Sequence, residues 1–170
     1  SDYQDADIIH DLSQPIDPAH ERAFDVVIDG GTLEHVFNFP VALANCMKMV
    51  KEGGSLFLFT MANNHLGHGF YQFSPELFFR ALSAEHGYDV KHVILEPHPF
   101  PGAELASSPK CWLVTDPAEL GDRVRLVSKS PAMMMVHAVR TKVGPVFERF
   151  PIQSDYNVMH EAHRETSEKP

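Results

Sequence analysis

Cysteine is scarce in this chain, and its two cysteines form no disulfide or metal-binding pattern. Cys46 and Cys111 lie far apart, and no Cys-x-x-Cys pair occurs. A disulfide framework or a zinc knuckle needs several cysteines at characteristic spacings. Both residues have apolar neighbours in the sequence, so we predict two reduced thiols in the core.

Long apolar runs and an excess of basic charge are also missing. The longest apolar stretches are strand-length, too short to span a membrane, and the acidic residues 1–10 do not form a signal peptide. The formal net charge is -9. General binding to a phosphate backbone needs a basic face, so it is disfavoured. These absences predict a cytoplasmic protein with no membrane contact and no general nucleic-acid binding.

The length and composition are those of one globular domain. The chain has 170 residues, of which 44% are hydrophobic and 22% charged. After Lys142 the sequence becomes polar and is interrupted by prolines. We therefore predict a folded α/β domain over residues 1–143 and a partly ordered C-terminal extension over 144–170.

Strand-like and helix-like segments alternate along the domain. The predicted strands are Ala6–His10, Phe24–Ile28, Ser55–Met61, Val90–Leu95 and Met133–Val139, with shorter candidates at Cys111–Thr115 and Val124–Val127. The predicted helices are Pro40–Val50, a second from Ser74 to near Gly87, and a short turn at Asp116–Glu119. The alternation indicates an α/β fold with parallel pairing, helices covering both faces of the sheet and three layers in all.

Two short motifs flank the predicted strands of this pattern. Leu33–Val36 (LEHV) follows the strand FDVVI, and Val50–Gly54 (VKEGG) precedes the strand SLFLFTM. With Gly69–Leu82 and Val124–Arg140, they resemble the second half of class I, Rossmann-like, S-adenosylmethionine-dependent methyltransferases. The resemblance covers roughly Ala6–Arg140.

The resemblance implies a three-layer Rossmann-like sheet that is mostly parallel and has an antiparallel last strand. The family's opening strand ends in a GxGxG motif whose amides meet the cofactor. No GxGxG occurs in this sequence, and Gly30-Gly31 follows a different strand. We therefore expect an N-terminally truncated form of the fold, either a fragment or a short paralogue, with weak or undetectable binding of S-adenosylmethionine.

Asp11 and Leu12 are the first cofactor-binding candidates. By the resemblance, Asp11 accepts a hydrogen bond from the adenine amino group, and the Leu12 amide meets the ring. The alternative is a loop aspartate that caps its own turn.

A second cofactor-binding candidate is the turn after the strand FDVVI, formed by Asp29, Gly30, Gly31 and Thr32. Ligands of open α/β sheets bind just beyond the carboxyl ends of strands, and glycine lets a ligand approach the backbone closely. The alternative is a plain turn between a strand and a helix.

Histidines and aromatic residues supply the remaining candidates. His35 is the predicted catalytic residue, because an acceptor can need a base near neutral pH; the alternative is a structural histidine. His65, His68, Tyr71 and Phe73 are predicted to bind substrate, with core packing as the alternative for the aromatic residues. His65 and His68 lack a spaced carboxylate partner, so no metal site is predicted. A histidine-metal hydrolase built on them is a remoter alternative.

The predicted function is that of a methyltransferase, or a truncated form of one, acting on a small-molecule acceptor. The alternative is a methyltransferase-like interaction module without cofactor. Without an opening strand beside it, FDVVI would leave an apolar edge unpaired. Either Ala6–His10 pairs with that edge, or two copies associate there, and we predict a homodimer or larger oligomer.

Overall fold

The chain folds around one five-stranded sheet in the computed structural model, which describes residues 6–97, 110–120 and 126–156. The strands are β1 (Phe24–Gly30), β2 (Val50–Asn63), β3 (Tyr88–Pro97), β4 (Trp112–Leu113) and β5 (Ala132–Arg140). Their order across the sheet is β1-β2-β5-β3-β4. The helices are α1 (Phe39–Met49), α2 (Pro75–Ala81) and α3 (Pro117–Leu120).

Sheet pairing corrects the prediction of a mostly parallel sheet. β1 and β2 pair in parallel, whereas β2 with β5, β5 with β3, and β3 with β4 are antiparallel. The sheet is mixed because β5, the last strand, is inserted antiparallel between β2 and β3. The predicted antiparallel last strand is therefore confirmed.

The core lies on one face of this sheet. Strands β2 and β5 alternate buried and half-buried residues, so that Leu56, Leu58, Met134 and Val136 point into the core. Helices α1 and α2 add buried residues to the same cluster, among them Leu43, Met47, Phe78 and Ala81. On the opposite face of β1, Val26 and Ile28 remain 51% and 64% exposed. The predicted three-layer arrangement is not confirmed.

The predicted strand at Ala6–His10 is wrong. Residues 6–10 have no strand structure, and no strand pairs with the free edge of β1 in the described part of the chain. The segment that follows is held on α1 instead. The buried Asn45 amide accepts a hydrogen bond from the Ile16 N–H at 2.8 Å and donates to the Leu12 and Gln14 carbonyls at 3.3 and 2.7 Å.

Strand predictions in the second half are mixed in outcome. Val90–Leu95 and Met133–Val139 lie inside β3 and β5. A short strand is a further prediction at residues 124–127. Leu126 and Val127 form no strand, and residues 124–125 lie outside the described part. Residues 144–156 run back onto the domain, where Phe147 packs against His86 at a ring-centroid distance of 5.1 Å. Residues 157–170 lie outside the described part.

The two cysteines have different environments. Cys46 is buried on α1, and burial raises the pKa of its thiol to about 12. Cys111 is exposed, so the prediction that it is a core thiol is wrong. Its apolar sequence neighbours form β4, a two-residue edge strand whose Trp112 and Leu113 are themselves exposed.

The described helices are short. None of those in residues 6–97, 110–120 and 126–156 has the length and apolar character needed to cross a membrane.

Candidate functional site

The candidate site lies at the carboxyl ends of β1 and β2. These strands run in parallel, with Asp29 opposite Leu58 and Gly30 opposite Phe59. The segments that follow the two strands therefore leave the sheet at the same end. β1 continues through Gly31 and Thr32 into a 3₁₀ turn at Leu33–His35. β2 continues into the loop over residues 64–73. The two connections meet at this edge, which we call the rim.

Asp29 is a buried carboxylate at the rim. It is 6% exposed, and its Oδ1 accepts a hydrogen bond from the Thr32 N–H at 3.2 Å. Its Oδ2 is buried and has no hydrogen-bond partner among the described residues. Burial, assisted by the nearby Glu34 carboxylate, raises the pKa of Asp29. Asp29 therefore presents an acceptor atom that a ligand donor could satisfy.

Because its pKa is raised, ionisation of Asp29 lowers the stability of the folded protein. The folded protein holds the proton more tightly than the unfolded chain, so stability contributed by Asp29 is present at acid pH and is lost as pH rises through the folded pKa. Groups with perturbed pKa values cluster at functional sites.

Glycines leave backbone accessible beside this carboxylate. A Cβ atom on Gly30 would meet nothing within 4 Å. Gly31 has φ of 91°, a conformation that favours glycine, and a Cβ there would lie 3.3 Å from Glu34 Oε1. The turn thus combines open space at Gly30 with tight packing at Gly31.

Glu34 is a functional candidate that the sequence reasoning missed. Its side chain is fully buried, and Oε2 accepts a hydrogen bond from the Thr60 hydroxyl at 2.9 Å. Its carbonyl accepts from the Phe70 and Tyr71 N–H groups at 2.8 and 3.2 Å. Gly69 allows this close approach, because a Cβ atom there would lie 2.7 Å from the Glu34 carbonyl oxygen. The available signal was a charged residue inside the LEHV motif.

Folding of the loop onto Glu34 brings His35 and His68 together. Their ring centroids are 4.8 Å apart, and His68 Nε2 lies 3.6 Å from Glu34 Oε1. One ligand atom from each of Glu34, His35 and His68 lies within 4.8 Å of the other two. Both histidines are exposed, so this group faces solvent at the rim.

The other predicted substrate residues occupy the same loop but differ in setting. The His65 ring lies 6.2 Å from that of His68. The Tyr71 hydroxyl donates to the Phe37 carbonyl at 2.8 Å. Phe73 is buried and packs on the Phe39 ring at 4.5 Å, which is the environment of a core residue.

Asp11 and Leu12 lie in a turn of their own against the start of α1. Asp11 Oδ1 accepts hydrogen bonds from the Ser13 N–H at 2.9 Å and the Ser13 hydroxyl at 2.7 Å, and these bonds lower the Asp11 pKa. The Asn38 side chain, next to the first residue of α1, donates to the Ser13 carbonyl at 2.8 Å. Leu12 packs against the core. This geometry is that of an aspartate capping its own turn.

A cavity of about 800 Å³ opens beside the loop. It is bordered by the carboxyl ends of β2 and β3 and by the start of β5, with Asn63, Pro97 and Ala132 in its wall. Phe73, Trp112 and Leu126 make much of the lining apolar. Its size suits a small organic molecule.

Comparison with known proteins gives a match at the level of fold. No protein-family model matches the chain, and no curated protein matches it. A crystal structure from Thermotoga maritima, described as an S-adenosylmethionine-dependent methyltransferase and possible histamine N-methyltransferase, superposes with a TM-score of 0.50 at 16% sequence identity. The fold is methyltransferase-like.

The match covers 72% of this chain and 59% of the Thermotoga chain. This chain therefore spans about three-fifths of the length of the solved structure that it matches. At 16% identity the likeness concerns the fold alone.

Proposed function

We propose that this chain is all or part of an S-adenosylmethionine-dependent methyltransferase acting on a small-molecule acceptor. The observation that carries the proposal is the rim, where Asp29 has a buried unpartnered oxygen and Gly30 has open space. Ligands of α/β sheets bind at such edges. The methyltransferase-like fold supports the same assignment.

In this proposal Asp29, Gly30, Gly31 and Thr32 hold the cofactor, and Asp11 and Leu12 are proposed to contact its adenine ring. S-adenosylmethionine supplies a methyl group on a sulfonium centre. The protein's task is to align an acceptor lone pair with that methyl group, and alignment contributes on the order of 7–11 kcal/mol in such reactions. His35, exposed at the rim, accepts the proton that the acceptor releases.

The acceptor is proposed to lie against the loop that covers Glu34. His65, His68 and Tyr71 supply polar contacts, while the buried Phe73 supports the loop from below. Phe37 and Phe70 are 76% and 67% exposed and pack edge to face at 5.7 Å. Exposed aromatic residues at a ligand-binding edge favour an acceptor with an apolar portion.

Cofactor binding tests this proposal with a matched pair of variants. Without a glycine-rich loop, we expect S-adenosylhomocysteine to bind the 170-residue chain with a dissociation constant in roughly the millimolar range. Asp29→Asn removes the rim carboxylate and is expected to weaken binding by about tenfold. Saturation-transfer NMR with millimolar ligand measures both values.

Asp25→Asn is the control, because Asp25 lies on the same strand but is 81% exposed and pairs with Lys51 on the surface. Its affinity is expected to stay within about twofold of the unmodified chain. Asp29→Asn is expected to be at least as stable as the unmodified chain at pH 7, which excludes unfolding as the cause. Tight stoichiometric binding with the same affinity in Asp29→Asn would place the cofactor on another surface. No binding at all would refute the cofactor role.

A second candidate function is an interaction module, and the exposed apolar side of β1 favours it. Val26 and Ile28 project from a strand whose outer edge has no pairing partner in the described residues. Such strands associate with other chains. We propose that two copies of this chain associate through β1.

Sedimentation velocity measures this association. The unmodified chain is expected to sediment as a dimer or larger at micromolar concentration. Val26→Lys with Ile28→Lys is expected to yield a monomer, because charges on an edge strand oppose pairing. The control Val143→Lys, at a 45% exposed position outside the strands, should leave the distribution unchanged. A stable monomer of the unmodified chain would contradict the proposal.

A further inference from the structure

We propose that Glu34, His35 and His68 bind a divalent first-row transition ion of the Zn²⁺ type. The three side chains come from the turn after β1 and the loop after β2, and one ligand atom from each lies within 4.8 Å of the others. Two imidazole nitrogens and one carboxylate oxygen form a ligand set found at catalytic zinc sites.

The burial of Glu34 is the observation that points to a ligand. Its side chain is 0% exposed, and Oε1 has no hydrogen-bond partner among the described residues. Thr60 occupies Oε2 at 2.9 Å, so the carboxylate is fixed with Oε1 directed towards His68, 3.6 Å away. A buried carboxylate oxygen without a donor is unfavourable, and a cation on that atom removes the penalty.

The distances are compatible with coordination after a small movement. Zinc–ligand bonds of about 2.1 Å place neighbouring ligand atoms about 3.0–3.4 Å apart. The observed spread of up to 4.8 Å must contract. Glu34 is held by Thr60, whereas His35 and His68 are exposed and can rotate towards it. The carboxylate is therefore the fixed ligand, and the histidines close on the ion.

The ligand set also selects the kind of ion. Mg²⁺ and Ca²⁺ prefer oxygen ligands, whereas imidazole suits Zn²⁺ and its first-row neighbours. Three protein ligands leave at least one position open to an exogenous group. If the proposed function holds, an acceptor hydroxyl would occupy that position, the ion would lower its pKa, and its proton would pass to solvent, because His35 would be a ligand and not the base. Metal binding itself does not rest on the proposed function.

Calorimetry with Zn²⁺ alone, on the full chain after treatment with chelator, tests the site. One ion per chain is expected to bind, with Mg²⁺ far weaker. His68→Ala changes an exposed residue, and Glu34→Gln keeps an oxygen that can accept from Thr60. Each is expected to weaken Zn²⁺ binding at least about tenfold. Co²⁺ should give a visible absorption band that both variants lose.

His92→Asn is the matched control. His92 is an exposed histidine on β3, with its ring 6.1 Å from that of His137, so it represents ordinary surface histidine pairs. Its replacement should leave the affinity and stoichiometry unchanged. The proposal is overturned if the unmodified chain binds less than one ion, if both site variants bind as it does, or if His92→Asn abolishes binding. Because S-adenosylhomocysteine is absent from this titration, failure here leaves the cofactor test unaffected.

Discussion

Replacing Arg140 by methionine is expected to lower the free energy of unfolding by about 3 kcal/mol. Arg140 is 2% exposed at the end of β5. Its Nη1 donates hydrogen bonds to the carbonyls of Met47, Lys48 and Val50 at 3.2, 3.1 and 2.6 Å. These carbonyls lie at the C-terminal end of α1 and the start of β2, where helix geometry leaves acceptors without partners.

The guanidinium therefore joins three parts of the fold. It donates to all three carbonyls, and its positive charge lies at the negative end of the α1 dipole. Methionine fills a similar volume but donates no hydrogen bond, so each of the three acceptors loses one donor. Two of the carbonyls keep a donor, which limits the loss: Met47 keeps the Tyr88 hydroxyl at 2.6 Å, and Lys48 keeps the Arg22 N–H at 2.8 Å.

Chemical denaturation of Arg140→Met and Lys142→Met measures this effect. Lys142 lies two positions further on and is exposed, so its replacement is expected to change stability by less than about 0.5 kcal/mol. In thermal unfolding, a loss of about 3 kcal/mol corresponds to a melting point lowered by roughly 6–12 °C. Equal effects of the two substitutions would show that the Arg140 hydrogen bonds contribute little.

Asn45→Asp is expected to destabilise the protein by about 2–3 kcal/mol. Asn45 is 2% exposed on α1, and its amide nitrogen donates to the carbonyls of Leu12 and Gln14. An aspartate would place a carboxylate oxygen against those two carbonyl oxygens inside the protein. The segment Leu12–Ile16 is expected to detach from α1 as a result.

Hydrogen exchange at the Ile16 amide reports this detachment directly, because that amide donates to the Asn45 side chain at 2.8 Å. We expect faster exchange there in Asn45→Asp. The control is Asn38→Asp, at an exposed residue with one hydrogen bond to the Ser13 carbonyl, which should cost less than about 1 kcal/mol. Protection of Ile16 that matches the unmodified chain would refute the anchoring role of Asn45.

The strands that the sequence predicted best are those with strong local signals. FDVVI and SLFLFTM are apolar runs bounded by glycines or polar residues, and both form strands, β1 and β2. The order of strands across the sheet is a different kind of information. Insertion of β5 between β2 and β3 depends on contacts between residues distant in the chain, which local patterns do not encode. The antiparallel last strand came from the family resemblance alone.

Failures of prediction have equally specific causes. Ala6–His10 is apolar enough for a strand, but the segment after it is bound by the Asn45 side chain, a long-range contact. The apolar neighbours of Cys111 favour a core position, yet they form an exposed edge strand. The burial of Glu34 is not evident from the sequence, because charged residues are seldom buried and its setting depends on the fold of the loop onto it.

We propose that ligand binds at the rim, where β1 and β2 end. Titration of the ¹⁵N-labelled chain with S-adenosylhomocysteine, followed by amide chemical shifts, tests it most directly. We expect the largest shift changes at Gly30, Gly31 and Thr32, with smaller ones at Leu12, and none along β3. Changes confined to β3 and α2, or none at millimolar ligand, would contradict the claim.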